Sequence, residues 1–286
     1  MSSGILSQLP AGLEHGLDMS DPVVQKWMYG VPAAHILCCL LFRLLGWWPK
    51  PSQRPGSNTK GSRTSDMLAY NVVAGYICCY VAYYGTIAQF GLMGNNELEK
   101  LNKAPGASHN RFYNESTWTY EYLVLPMLGY QVYNFFLCFA FYDLRDPAMI
   151  GHHFFTATLA YMGLHPYLHV KCIFFFGFAE LSNVFLAFRD FFKYIPSLKT
   201  NFPALYNLSS LSFGVSFIAL RLIMWPYISY DFWKDSITLL QSGKAHSNLV
   251  VVTFLVANIF LTGLQIMWGK MIFKIIIGKK KKPKAQ

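Results

Sequence analysis

The stretch Gly151–Phe192, GHHFFTATLAYMGLHPYLHVKCIFFFGFAELSNVFLAFRDFF, decides the fold. It consists of two apolar runs divided at His165-Pro166. The first opens with adjacent histidines, His152 and His153, and the second carries a lone carboxylate, Glu180, midway. Runs of this length and apolarity read as helices that cross a membrane. A carboxylate at mid-bilayer depth costs about 2.5–3.5 kcal/mol even on lenient insertion scales, so Glu180 is expected inside a helix bundle, with a partner.

Working outward, further apolar runs lie at Val31–Trp48, Met67–Leu92, Tyr120–Tyr142, Tyr206–Ile228 and Leu249–Ile272. The expected fold is therefore an all-α polytopic membrane bundle of about seven transmembrane helices, one N-terminal helix followed by six. Composition agrees: the 286 residues are 53% hydrophobic and 13% charged, about half the charged share of a soluble domain. The net charge of +10 sits largely in the lysine tail and short loops, which points to a cytoplasmic membrane face rather than nucleic acid.

The expected division is a lumenal segment over 1–30, a first span over 31–48, a flexible cytosolic linker over 49–66, a membrane domain over 67–274 and a basic cytosolic tail over 275–286. The linker is rich in Pro, Gly, Ser and basic residues that cannot bury a core. Arg43 is placed to snorkel, and Trp47 and Trp48 suit an interface belt. With the C-terminus cytosolic, Lys50, Arg54, Lys60, Arg63, Arg145, Arg189, Lys193 and the tail fall on one side. Lys100, Arg111, Lys171 and Lys234 fall on the other, offset by Glu97, Glu99, Asp231 and Asp235. The sequon Asn114-Glu115-Ser116 then lies in the lumen, where glycosylation occurs. No removable signal peptide is evident. Lys282 and Lys284, third and fifth from the end, resemble a dilysine retrieval signal read by coat proteins; a plain basic stop-transfer tail is the other reading. Together these point to the endoplasmic reticulum membrane, with cycling to the Golgi. Cys38, Cys39, Cys78, Cys79, Cys138 and Cys172 all fall in apolar runs, show no CxxC spacing, and read as packing residues.

Four groups can carry chemistry. His152 and His153 suit proton or acyl transfer, as a working imidazole and its neighbour, although consecutive helical positions diverge by roughly 100°. Interfacial histidines bonded to loop carbonyls are the plainer alternative. Glu180 and Asn183 share a helix face amid Phe174, Phe175, Phe176, Phe178, Phe185 and Phe188; a structural glutamate bridging two helices is the alternative. Arg189 and Lys193 are placed either to receive a phosphate from a lipid head or coenzyme A, or to anchor the interface. Arg221, deep in its span, needs a partner, and Glu180 is the candidate. A di-iron site is rejected, because the HxxxH of His165 and His169 is expected on the opposite side from His152 and His153; no metal is expected.

Gly129-Tyr130, His152-His153, Phe178-Ala179-Glu180-Leu181-Ser182-Asn183 with Arg189, Arg221 to Tyr227, and Leu264-Gln265 with Trp268 occur in an order that resembles the TLC-domain family. That family includes the translocation-associated membrane protein, the Lag-type ceramide synthases and an ER protein of neuronal ceroid lipofuscinosis. The resemblance covers roughly Leu68 to Lys274. It implies His152, His153 and Glu180 as catalytic residues, Tyr130, Asn134, Asn183, Arg189 and Arg221 as substrate contacts, and acyl-CoA as co-substrate, with no bound cofactor. The ceramide-synthase branch has two aspartates three apart where this chain has Glu180 and Asn183, and Asn134 stands where many relatives have an acid. These departures resemble the broader TLC-domain branch, linked to phospholipid composition, more than true ceramide synthases. Two function classes follow: an acyltransferase acting on a lipid amine or hydroxyl, and a non-enzymatic lipid sensor or trafficking factor. Membrane lipids are the expected partners in both, and homo- or hetero-oligomers stay open.

Overall fold

A computed structural model of the chain describes residues 17–45, 64–102, 111–165 and 167–278. Among these every regular element is helical. Seven principal helices follow one another: α1 (Pro22–Leu44), α2 (Thr64–Phe90), α3 (Thr117–Ala140), α4 (Pro147–Met162), α5 (His169–Tyr194), α6 (Pro203–Gln241) and α7 (Asn248–Gly278). All but α4 are long and apolar enough to cross a membrane. The chain is a multi-pass membrane protein.

Several boundaries differ from the sequence expectation. Helix α1 starts nine residues before Val31, because the Asp21 carboxylate accepts from Val23 N at 2.8 Å and Pro22 occupies the first turn. The expected division at residue 30 thus falls inside a helix, and Pro32 is absorbed within it. Trp47, Trp48, most of the linker, Lys282 and Lys284 lie outside the described residues. Arg43, expected to snorkel, has an ion pair with Asp66 at 3.2 Å.

Helix α4 begins at Pro147 rather than Gly151, capped by Asp146, which accepts from Ala148 N at 2.8 Å. It ends at Met162, so its 16 residues rise about 24 Å, short of a hydrocarbon core of roughly 30 Å. Helix α6 is the reverse. Its 39 residues rise about 58 Å, well past the expected end at Ile228. The extension carries Asp235, which takes both Arg111 Nε (2.9 Å) and Nη2 (2.5 Å), and Trp233, whose indole donates to Asn258 on α7 at 2.9 Å.

The main core is a continuous apolar cluster running from Val24 on α1 to Leu264 on α7, with a smaller one of Phe42, Leu68 and Ala69 between α1 and α2. Within it, two close backbone approaches fix the helix registers. A Cβ on Gly129 would meet Trp27 O at 2.5 Å, so only glycine lets α1 lie against α3 there. A Cβ on Gly85 would meet Gly177 Cα at 2.3 Å; α2 and α5 touch backbone to backbone, the small-residue contact favoured between membrane helices. Just before that contact α5 widens into a π-helical turn, Ile173–Gly177, then tightens into a 3-10 turn, Phe178–Glu180. Wide turns also precede Pro126 in α3 (Tyr120–Val124) and Pro226 in α6 (Ile218–Met224). A proline removes a backbone donor and crowds the turn before it.

Gly177→Ala and Gly85→Ala should each lower stability by about 1–3 kcal/mol through overpacking. Gly214→Ala, with nothing within 4 Å of its added methyl, should raise it by about 0.5–1 kcal/mol. Thermal unfolding of the three purified variants in one detergent checks the contrast.

Candidate functional site

Glu180 emerges from the tight turn of α5 facing the bundle interior, with its side chain 6% exposed. Its Oε1 accepts from Arg221 Nη2 at 2.7 Å, and its Oε2 from Asn183 Nδ2 at 2.6 Å. Arg221 Nε donates to Ser182 Oγ at 3.2 Å, and the guanidinium lies 5.7 Å from the Trp225 ring centre. The partner expected for each intramembrane charge is therefore the other. Neither glutamate oxygen bonds an imidazole, so a role for Glu180 in tuning a histidine directly has no hydrogen bond behind it.

A cavity of about 350 Å3 lies on the side of this ion pair toward the C-terminal end of α7. Its wall includes His152, His153, Glu180, Asn183, Arg189 and Arg221, together with Tyr130. Asn134 does not border it: one turn, about 5.4 Å, beyond Tyr130 on α3, this amide is buried behind that tyrosine. A smaller space of about 50 Å3 lies across the ion pair and shares His152, Glu180 and Arg221 with the first.

The two imidazoles both reach the cavity despite their angular divergence, because the cavity sits between the helices they turn toward. His153 faces α3, where its Nδ1 lies 2.6 Å from Gln131 Oε1. His152 faces α7, with its ring 5.6 Å from Trp268 and 5.1 Å from His153. With Gln131 Oε1 as acceptor, His153 carries its proton on Nδ1, and Nε2 holds the lone pair. Nε2 makes no hydrogen bond among the described residues. Gln131, Tyr70, Asn71 and Cys78 are wall residues that sequence reasoning missed. Cys78, read as packing, places Sγ 3.8 Å from Glu180 Oε2. Gln131, a buried polar group in a membrane helix, was the available signal.

At the open end, Arg189 bonds Asp190 at 3.0 Å and is one-third exposed. Lys193 turns away, stacking on Tyr194 at 4.9 Å. His169 is structural: it accepts from Ser116 N at 2.9 Å and donates to Gly163 O at 2.9 Å. No cluster of three or more metal-ligating groups occurs among the described residues. Asn114 is half-buried, and its Nδ2 donates to Leu101 O at 2.6 Å, so a glycan on that nitrogen requires the loop to open.

Residues 63–274 match a family model described as the TLC domain. The chain belongs to the TLC-domain family. The TLC domain covers α2 to α6, α7 as far as residue 274, and every wall residue of the cavity, and it marks the chain as a lipid-related membrane protein. No curated protein and no solved structure matches the chain.

Arg221→Met alone leaves the buried Glu180 charge uncompensated, Glu180→Gln alone does the same to Arg221, and Arg221→Met should cost about 3–5 kcal/mol. The Glu180→Gln, Arg221→Met double variant should be more stable than Arg221→Met alone. A thermal-unfolding double-mutant cycle reads the coupling; additive losses would mean that the pair is not formed.

Proposed function

We propose that the protein transfers an acyl chain from acyl-CoA to a lipid amine or hydroxyl, at the cavity enclosed by α2 to α7. The observation that carries this reading is His153, held by Gln131 with Nε2 unbonded at the wall of a largely buried cavity. That is the arrangement of a general base. In the reaction, Nε2 takes the proton from the lipid amine or hydroxyl as its nitrogen or oxygen forms a bond to the thioester carbonyl carbon. The carbon–sulfur bond then breaks, and the imidazolium returns the proton to the departing coenzyme A sulfur. His152, its ring beside that of His153, borders the same space. Glu180 fixes Arg221 at the cavity wall, and Arg189 at the mouth meets a phosphate of coenzyme A in exchange for Asp190.

The charge bias of the loops, the sequon and the lysine tail support placement in the endoplasmic reticulum, with the cavity mouth and the C-terminus cytosolic, the side on which acyl-CoA is found. One observation favours a second reading, a lipid sensor: Glu180 is bonded to Arg221 and Asn183 and to no imidazole, the geometry of a fixed pocket.

Purified full-length protein in nanodiscs, given palmitoyl-CoA and a panel of lipid amines and alcohols, should form an acylated product. His153→Ala should slow it by about 10²–10⁴-fold; Gln131→Leu should lower kcat more than it raises KM. No product with any acceptor, with lipid binding intact, would replace the enzyme with the sensor.

A further inference from the structure

At the end of the bundle opposite the imidazole cavity is a separate space of about 260 Å3, formed where α5 begins and α6 extends beyond its expected span. Five charged side chains border it: Arg111, Lys171, Lys234, Asp231 and Asp235. Arg111 and Asp235 neutralise one another through their two-point contact. That hydrogen bond holds the Arg111 guanidinium above even its ordinary high range, so the pair stays charged and closed. Lys171, Lys234 and Asp231 remain, with one positive charge in excess.

Lys171 is the unusual member. Its side chain borders the cavity, it is only 9% exposed, and it has neither a hydrogen bond nor an ion pair among the described residues. A buried ammonium with no ion pair is expensive; Asp231 and Asp235 attract it only from beyond ion-pair distance, and an anion in the space before it removes the remaining penalty. Gln89 and Asn102 offer amide donors on the same wall, while Phe174 and Ile228 give it an apolar floor. A cation is disfavoured, because both Asp235 oxygens are held by Arg111 and Asp231 faces two lysines.

We propose that this cavity binds a phosphate group, with Lys171 as its anchoring cation, supplied by an anionic lipid headgroup or by free phosphate. The site is distinct from that of acyl transfer: Lys171 also borders the 50 Å3 space that His152 lines, but neither imidazole borders this cavity, and its test contains no acyl-CoA.

The full-length chain in detergent is titrated by native mass spectrometry with phosphatidic acid, with diacylglycerol of the same chains, and with inorganic phosphate. Phosphatidic acid should bind and diacylglycerol should not. Lys171→Met should weaken phosphatidic acid about tenfold or more, with no loss of thermal stability. Lys171→Arg should keep most of the affinity, and Asp231→Asn should tighten it by removing a carboxylate that repels the phosphate. Displacement of the lipid by millimolar inorganic phosphate identifies a site for the phosphate group alone; resistance to it identifies the lipid as the source. Unchanged binding in Lys171→Met, or weaker binding in Asp231→Asn, overturns the proposal. Should Lys171→Met not fold, Asp231→Asn still decides it by the sign of its effect.

Discussion

The Glu180–Arg221 ion pair is the constraint on which the bundle depends. Both residues are about 95% buried, so each charge is tolerable only while the other is beside it. The glutamate reaches the pair from a tightened turn of α5 and the arginine from a widened turn of α6. A regular helix in either place would rotate its charge around the axis and away from the other. The register of α5 is in turn held by the Gly85–Gly177 contact. A few unusual backbone turns thereby fix one electrostatic contact, and that contact forms the partition between two cavities. Asn183 completes it with a single added donor. A second acid there would bring a second negative charge to one guanidinium, so the amide is what one arginine can balance.

Much of this was legible in the chain, and the physics says why. A charge inside an apolar run has few ways to be satisfied, so Glu180 and Arg221 could be matched from sequence alone. Tyr130, the two histidines, Asn183 and Arg189 do meet at one cavity, because long apolar helices with short connections leave few ways to pack. Asn134 stays off the cavity wall because it shares a helix face with Tyr130 but lies a turn further on, and a face is not a depth. Gln131 was missed because its contact with His153 depends on how α3 and α4 face one another, which no local pattern encodes. Lys171 was counted only as one of several lumenal charges; its burial follows from the packing of α5 against the extended part of α6.

Helix ends were least legible where a capping signal competed with hydropathy. Asp21-Pro22 and Asp146-Pro147 each open a helix several residues before its apolar run, because a carboxylate acceptor and a preset φ nucleate the first turn in polar sequence. The converse holds at Pro226, where apolarity continues but the backbone must widen. Among the described residues, proline thus opens α1, α4 and α6 (Pro22, Pro147 and Pro203) and follows a widened turn in α3 and α6 (Pro126 and Pro226).

The brevity of α4 has a consequence for the surrounding lipid. A segment about 6 Å shorter than the hydrocarbon layer creates hydrophobic mismatch, which the bilayer relieves by thinning around it, at fractions of a kcal/mol per Å. Such thinning falls beside His152 and His153, which stand in the second turn of α4. Membrane thickness becomes a variable to which the imidazole-bearing helix is mechanically coupled.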